Sequence, residues 1–286
     1  MTTNRKHRII FAHSYWDILP ALAGVAHFAY LIIMFVLFPQ LSWWQNLLLG
    51  LVYAVSISWN INGVAHFFIH NAYFKARFLN RAFSLMQSLT MAFSQTFYDA
   101  VHRRHHSGNS DLQDANGDTV DWLSIYRYGK DGKPENVWAY SLKSFFRDEP
   151  SVIFNEIKRR NVGLAWFGIF EIACVILMVL VGFMLNWKFM LFMIPFYYLG
   201  NCLSSLNGFY EHYRGNPNLP IAWGVRSYNW LYNITWFNNG YHAEYHYRPK
   251  HHWSKMRELR EQIAEKQQAA GVRVIQWPHA LGFLEH

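Results

Sequence analysis

Residues 18–70 read ILPALAGVAHFAYLIIMFVLFPQLSWWQNLLLGLVYAVSISWNINGVAHFFIH, and the fold class follows from this segment. It contains two apolar runs, Ile18 to Phe38 and Trp43 to about Ala65, without a single Lys, Arg, Asp or Glu. Each run is long enough for the ~20 helical residues that cross a bilayer. Only the short uncharged turn Pro39 to Ser42 separates them. The stretch therefore predicts a helical hairpin that crosses a membrane twice.

A second pair of apolar runs lies much further along the chain. These runs extend from Val162 to Leu185 and from Phe189 to about Leu206, and a short turn at 186–188 joins them. Charged residues make up only 15% of the chain, below the roughly 25% of a soluble domain. We therefore expect an all-α integral membrane fold with four transmembrane helices, interfacial helices and a cytoplasmic cap, built as a single domain over residues 1–286.

The distribution of basic residues predicts the orientation in the membrane. All 26 Lys and Arg residues except Lys188 lie in the N-terminal arm, between the two hairpins or in the C-terminal tail. Positively charged segments remain on the cytoplasmic side, so we expect both termini to be cytoplasmic. The net charge of +8 would then face anionic lipid headgroups. A nucleic-acid-binding function is a poor alternative, because the basic residues accompany bilayer spans.

The cytoplasmic segments show three further patterns. Residues 73–101 mix aromatic, aliphatic and basic residues, which predicts helices that lie at the membrane interface. Residues 107–134 contain Asn-Gly and Asp-Gly turns, which predict a loop or small cap. From Ser254 to Gly271 the apolar residues recur on one helical face, which predicts a final helix.

Eight of the 15 histidines fall into four groups at the cytoplasmic ends of spans or in cytoplasmic segments. These groups are His66 and His70; His102, His105 and His106; His212; and His242 and His246. Spacings of three and four residues put side chains on one helix face, so each group can aim its imidazoles at one point. Imidazole suits zinc, copper, iron and nickel, and eight convergent histidines are about enough for two metal ions. Two redox metals beside a bilayer indicate oxygen chemistry.

The histidine groups resemble the three histidine boxes of the membrane fatty acid desaturase and hydroxylase superfamily. The boxes read HFFIH at 66–70, HRRHH at 102–106 and GYHAEYH at 240–246. The resemblance covers nearly the whole chain, including the order of the boxes. It implies a histidine-ligated di-iron (two Fe) site, O2 as co-substrate and a lipid-like or acyl substrate. The YEHY sequence at 210–213 also resembles an extra histidine motif of alkane monooxygenases, which implies that His212 is a metal ligand.

One residue departs from the family pattern. The third box of the family is commonly HxxHH, and Tyr245 stands in the place of its middle histidine. A ninth ligand is therefore missing. Water, Glu244 or Tyr245 itself could complete the coordination, or the iron pair could tolerate an open position. The sequence leaves these alternatives open.

The resemblance implies a membrane-bound di-iron oxidoreductase, a desaturase or monooxygenase, that attacks a C–H bond of an alkyl chain. We favour a fatty acid desaturase. Alkane or lipid hydroxylase, ketolase and decarboxylase activities remain open, because they begin with the same hydrogen abstraction. The electrons are expected from a ferredoxin, rubredoxin or cytochrome-type donor, since the chain has neither a cysteine cluster nor the length for a fused haem or flavin module.

Two alternatives from other functional classes are weaker. A zinc hydrolase of the HExxH type needs a glutamate directly after the first histidine, whereas Phe67 follows His66 and Ala243 follows His242. A membrane metal-binding or transport protein would place its polar ligands near the midplane and often have repeated halves. These histidines gather at one face instead.

Three polar residues outside the boxes have separate interpretations. His27 in the first span is expected to bond a neighbouring helix. Glu171 in the third span is costly to bury, so it is either functional or hydrogen-bonded to another helix. Asp99 is a candidate hydrogen-bond partner of a ligand histidine. The histidines expected to face solvent or headgroups are His7, His13, His251, His252, His279 and His286.

Overall fold

The computed structural model describes residues 10–285. Within this range the regular secondary structure is helical apart from two two-residue strands, which confirms the all-α class. The helices are α1 (Ile18–Leu37), α2 (Trp43–Trp59), α3 (His66–His70), α4 (Arg77–Met91), α5 (Gln95–Gly108), α6 (Val137–Lys143), α7 (Pro150–Arg160), α8 (Val162–His212), α9 (Trp230–Thr235), α10 (His242–Tyr247) and α11 (Met256–Ala269). Two short strands form one parallel pair, β1 (Arg226–Ser227) and β2 (Val274–Ile275). The predictions for His7, His286 and the ends of the chain lie outside the described residues.

Among residues 10–285, three helical stretches are long and apolar enough to cross a membrane. They are Tyr15–Gln40, Trp43–His70 and Val162–His212. The first two correspond to the first predicted hairpin. Between them, the Ser42 hydroxyl accepts the N–H of Gln45 and caps the start of α2. Large apolar side chains on the outer surface, such as Trp44 at 73% exposed, suit a lipid environment.

The helix α8 is not straight, because it breaks at Asn186. The backbone there has φ −153° and ψ 74°, and the Asn186 side-chain oxygen accepts the N–H of Phe189 at 3.1 Å. A Cβ built on Gly182 would lie 2.6 Å from the sulfur of Met190. In one continuous helix, residues eight apart are separated by about 12 Å. The two arms of α8 therefore fold back on each other, and the break lies at the predicted turn.

The second arm of α8 packs along α2. A Cβ on Gly200 would lie 2.7 Å from the Cβ of Ile57, so the two helices approach closely only because residue 200 is glycine. Further along, the amide of Asn62 donates a hydrogen bond to the Ser204 hydroxyl at 3.1 Å. These contacts place the histidine-bearing ends of the two long helices side by side.

A six-residue π-helix, Asn60–Ala65, connects α2 to α3. A regular span up to Ala65 was the expectation, and the wider turn changes which face the following residues occupy. His27 holds the start of this segment, because the Asn60 amide lies 2.8 Å from His27 Nδ1 and the Ser56 hydroxyl lies 2.9 Å from His27 Nε2. His27 therefore bonds a neighbouring helix, as predicted.

Glu171, in the first arm of α8, is fully buried and joins three elements. Its carboxyl accepts hydrogen bonds from the hydroxyls of Ser84 on α4 and Ser94 just before α5. It also accepts the backbone N–H of Thr96 at 3.0 Å, one of the groups that the first turn of a helix leaves without a partner. Of the two alternatives for Glu171, the structure shows the hydrogen bond to other helices. These bonds fix the position at which α5 begins.

The remaining elements surround the histidine-bearing helices. The loop predicted at 107–134 is observed, since residues 109–136 contain no helix or strand in the described structure. The predicted final helix is α11, which buries Met256, Leu259 and Ile263. After α11, β2 pairs with β1 and returns the chain towards the histidines.

Removal of the Glu171 carboxyl should loosen the contact between α8 and α5. Glu171→Ala would leave the Ser84 and Ser94 hydroxyls and the Thr96 N–H buried without an acceptor, at a cost of about 1–3 kcal/mol for each group. We expect a lower midpoint of thermal unfolding for the detergent-solubilised variant. Glu265→Ala, at an exposed site on α11, should unfold like the wild type. Equal midpoints for Glu171→Ala and the wild type would contradict this role.

Candidate metal centre

Four separate helices carry the eight grouped histidines. The side chains come from α3 (His66 and His70), α5 (His102, His105 and His106), the last residue of α8 (His212) and α10 (His242 and His246). In space they form two groups of four, and within each group the candidate ligand atoms all lie within 4.8 Å of one another. Segments far apart in sequence thus supply two sets of four nitrogen donors.

Group A comprises His66, His70, His102 and His106. The Nε2 atoms of His70 and His102 are 2.8 Å apart, and those of His102 and His106 are 3.0 Å apart. The Nδ1 atom of His66 lies 3.1 Å from the backbone carbonyl oxygen of Asn62. A carbonyl oxygen only accepts, so Nδ1 carries the proton and Nε2 of His66 keeps a lone pair for a metal.

Group B comprises His105, His212, His242 and His246. The Nε2 atom of His212 lies 3.1 Å from those of both His105 and His242. The Nε2 atoms of His105 and His246 are 3.3 Å apart. Four imidazoles at these separations form the nitrogen-rich donor set that zinc, copper, iron and nickel take.

The spacing of the histidines on α5 explains why the two groups are neighbours. His102 and His106 are four residues apart, lie on one helix face and both enter group A. His105 is rotated by about 100° from His106 and enters group B. The ring centroids of His102 and His105 are 5.6 Å apart. Residues 102–106 of α5 therefore contribute histidines to both groups.

Asp121, in the loop after α5, fixes the ring of His105. Its Oδ2 atom lies 2.7 Å from Nδ1 of His105, and its carboxylate also accepts two backbone N–H groups. A carboxylate on Nδ1 orients the ring and leaves Nε2 for a metal. The interpretation that Asp99 has such a role is wrong, because Asp99 pairs with Arg103 at 2.9 Å on the more exposed side of α5.

Glu211 is a second carboxyl group beside the histidines. The spacing of the histidines in the sequence did not identify it. Its Oε1 atom lies 3.6 Å from Nδ1 of His242. The same oxygen accepts hydrogen bonds from the amides of Asn207 at 2.8 Å and Asn239 at 2.7 Å. Its position directly before His212, in YEHY, was the one sequence signal for this residue. Asp121 had no such signal, because it lies in a loop 16 residues after its partner.

Burial decides the protonation of the histidines on α5 and α10. Desolvation lowers the pKa of His102, His106, His242 and His246 well below the usual value, and neighbouring imidazoles lower it further. Burial also disfavours charge on His105, but the adjacent carboxylate outweighs it and raises the pKa of His105. The four lowered pKa values favour neutral imidazole at neutral pH, which is the form that binds metals.

His279 is fully buried, so the prediction that it lies at the surface is wrong. Its Nδ1 atom lies 3.1 Å from the Tyr232 hydroxyl, and its Nε2 atom lies 3.1 Å from the carbonyl oxygen of Val225. Its ring centroid is 5.9 Å from that of His242. The pairing of β1 with β2 brings this distant residue behind group B.

The other three described histidines that were expected to face solvent or headgroups also lie outside both groups. His13 is exposed and His251 is half-buried. His252 is also half-buried, but it contacts a carboxylate rather than headgroups, because its Nε2 atom lies 2.8 Å from Oδ1 of Asp17.

A cavity of about 500 Å³ opens onto both groups. The histidines that line it are His66, His102, His105, His212 and His242. Much of the remaining wall is apolar and includes Phe93, Phe97, Leu123, Ile153 and Val175. A cavity of this size and lining suits one apolar ligand placed against the histidines.

Asp121→Asn should weaken metal binding at group B. The neutral amide no longer offers His105 a negatively charged acceptor, and the loss of such a partner weakens metal affinity by about 10–100-fold. Metal content after dialysis against graded chelator should therefore fall for Asp121→Asn. It should stay at the wild-type level for Asp131→Asn, which changes an exposed turn residue. Equal metal retention by Asp121→Asn and the wild type would exclude this role.

Comparison with known proteins agrees with the resemblance of the histidine boxes. A model of the fatty acid desaturase family matches residues 41–278. This range begins after α1 and contains groups A and B. Searches among curated proteins and solved structures gave no match. Because the family model covers most of the 286 residues, the chain belongs to the fatty acid desaturase family.

Proposed function

We propose that groups A and B each hold one iron ion and that the pair serves an O2-dependent desaturase acting on acyl chains. Membership of the fatty acid desaturase family supports this activity. The donor chemistry fits, since each group offers four imidazole nitrogens and imidazole is a common iron ligand. The proposed ligands are His66, His70, His102 and His106 for one iron, and His105, His212, His242 and His246 for the other.

The cavity shared by both groups is the observation that carries this function. A hydrolytic or structural metal site does not need an apolar cavity beside its ligands, whereas oxidation of an alkyl chain does. The side chains of Phe97 and Val175 are part of an apolar wall, which favours an acyl chain over a polar substrate. Because His66 and His212 line the same cavity, an alkyl carbon bound there lies close to both donor sets.

The residues of the chain bind, orient and shield the reacting groups. When bound, the two irons supply the reduction of O2 to two waters, coupled to removal of two hydrogens from adjacent carbons and uptake of two electrons and two protons. Asp121 holds His105 in one orientation, and Glu211 lies beside His242. Fixed rings keep the donor nitrogens in place throughout the reaction.

The proposed topology has four crossings within one domain. The break at Asn186 supports two crossings by α8. Lys188 is the one basic residue at that turn, whereas the other Lys and Arg residues lie away from it. This distribution supports a cytoplasmic position for both donor groups and both termini. The proposed spans are residues 18–38, 43–65, 162–185 and 189–206, in a domain of residues 1–286.

The electrons are proposed to come from a separate ferredoxin, rubredoxin or cytochrome-type donor. The two cysteines, Cys174 and Cys202, cannot hold an iron–sulfur cluster in this chain. Arg103, Arg248 and Lys250 are exposed beside the second and third histidine boxes. Positive charges at this place would steer an acidic donor protein towards the metal centre.

Expression of the chain with an electron donor should produce lipids whose acyl chains have lost two hydrogens, as measured by mass spectrometry. His106→Ala removes one donor of group A and should abolish the product. The matched control, His251→Ala, changes a histidine outside both groups and should retain the product. Unaltered lipids in membranes that contain the iron-loaded wild type would contradict the proposal, as would equal yields from His106→Ala and the wild type.

A further inference from the structure

Tyr245 stands where the family pattern commonly has a histidine, and its hydroxyl enters group A. The phenolic oxygen lies 2.7 Å from Nε2 of His66, 2.9 Å from Nε2 of His102 and 3.1 Å from Nε2 of His106. The side chain is almost fully buried, at 3% exposed. Tyr245 is therefore a fifth donor turned towards the same point as the imidazoles.

Hydrogen bonding alone does not account for this arrangement. The phenol can donate one proton and accept others, but Nε2 of His102 lies 2.8 Å from Nε2 of His70 and 3.0 Å from Nε2 of His106 as well as 2.9 Å from the phenolic oxygen. A ring nitrogen has either one proton or one lone pair, so it cannot form all three of these contacts as hydrogen bonds. Nε2 of His66 keeps its lone pair, because the proton of that ring faces the carbonyl oxygen of Asn62. A cation bound by these atoms satisfies the oxygen and the nitrogens at once.

The neighbouring carboxyl does not supply the missing donor. Glu244 accepts a hydrogen bond from the Tyr228 hydroxyl at 2.8 Å and lies 3.9 Å from the Arg226 guanidinium. On α10, Glu244 is rotated by about 100° from Tyr245, so the two side chains leave the helix in different directions. Of the two side chains that the sequence left as candidates, only Tyr245 reaches group A.

We propose that Tyr245 binds the iron of group A through its phenolic oxygen, in place of the family's histidine nitrogen. This inference rests on the proposed iron in group A. The phenolic proton is released to solvent as the iron–oxygen bond forms, as ligand protons are on metal binding. The bound oxygen is anionic and hard, unlike neutral imidazole, so it favours ferric over ferrous iron. Group B consists of four histidines without a phenolic oxygen. The two irons are therefore inequivalent.

Absorption and resonance Raman spectroscopy of the oxidised, iron-loaded protein test this ligand directly. Phenolate bound to ferric iron gives a charge-transfer band in the visible range, and excitation in that band enhances phenolate ring vibrations. We expect both signals in the wild type and in Tyr241→Phe, which changes a buried tyrosine outside group A. Tyr245→Phe should show neither signal. Tyr245→His supplies a nitrogen donor, so it should keep the iron and lose both signals.

Each failure has a distinct meaning. An iron-loaded wild type without the band would overturn the ligand role of Tyr245, even if the protein desaturates lipids. An unchanged band in Tyr245→His would do the same. A wild type that takes up no iron would contradict the proposed function instead. If Tyr245→Phe does not fold, the comparison of the wild type with Tyr245→His decides the question.

Discussion

Eight buried or half-buried imidazoles direct their Nε2 atoms at two neighbouring points, and the rest of the fold has to satisfy this constraint. The closest of these atoms are 2.8–3.3 Å apart and come from four helices. A buried polar group without a partner costs about 1–3 kcal/mol, so a cluster of lone pairs is unfavourable unless a cation binds it. Metal binding at such a site contributes directly to the free energy of folding. The surrounding elements therefore have to hold the imidazole rings in place both with and without bound metal.

Several features of the fold meet this constraint. Because α5 supplies both groups, its position matters most, and Glu171 fixes where it begins. At Asn186 the helix α8 breaks and its second arm runs back along the first. The end of α8, with His212, therefore lies beside the end of α2. Asp121 then fixes the ring of His105 from the loop. The apolar cavity lies where these elements meet, which couples the position of the metals to that of the substrate.

Patterns that are local in sequence predicted the apolar helices, the turn in α8 and the histidine groups, since each depends on run length or on spacing within one helix. The partners of the histidines depend on contacts between distant segments. Glu211 bonds Asn239 across 28 residues, and His279 reaches Tyr232 only because two strands pair. Asp99 had the right residue type, but a guanidinium four residues along its own helix binds it first. The π-helix begins at Asn60, whose amide contacts His27 of α1, and spacing within the second run alone does not report this contact.

We propose one iron in each of the two histidine groups. Anomalous X-ray diffraction from crystals of the iron-loaded protein, measured on both sides of the iron absorption edge, tests it most directly. We expect two peaks that appear only above the edge, one among the four donor atoms of each group, which lie within 4.8 Å of one another. A single peak, peaks outside the groups or a signal at the zinc edge alone would contradict it.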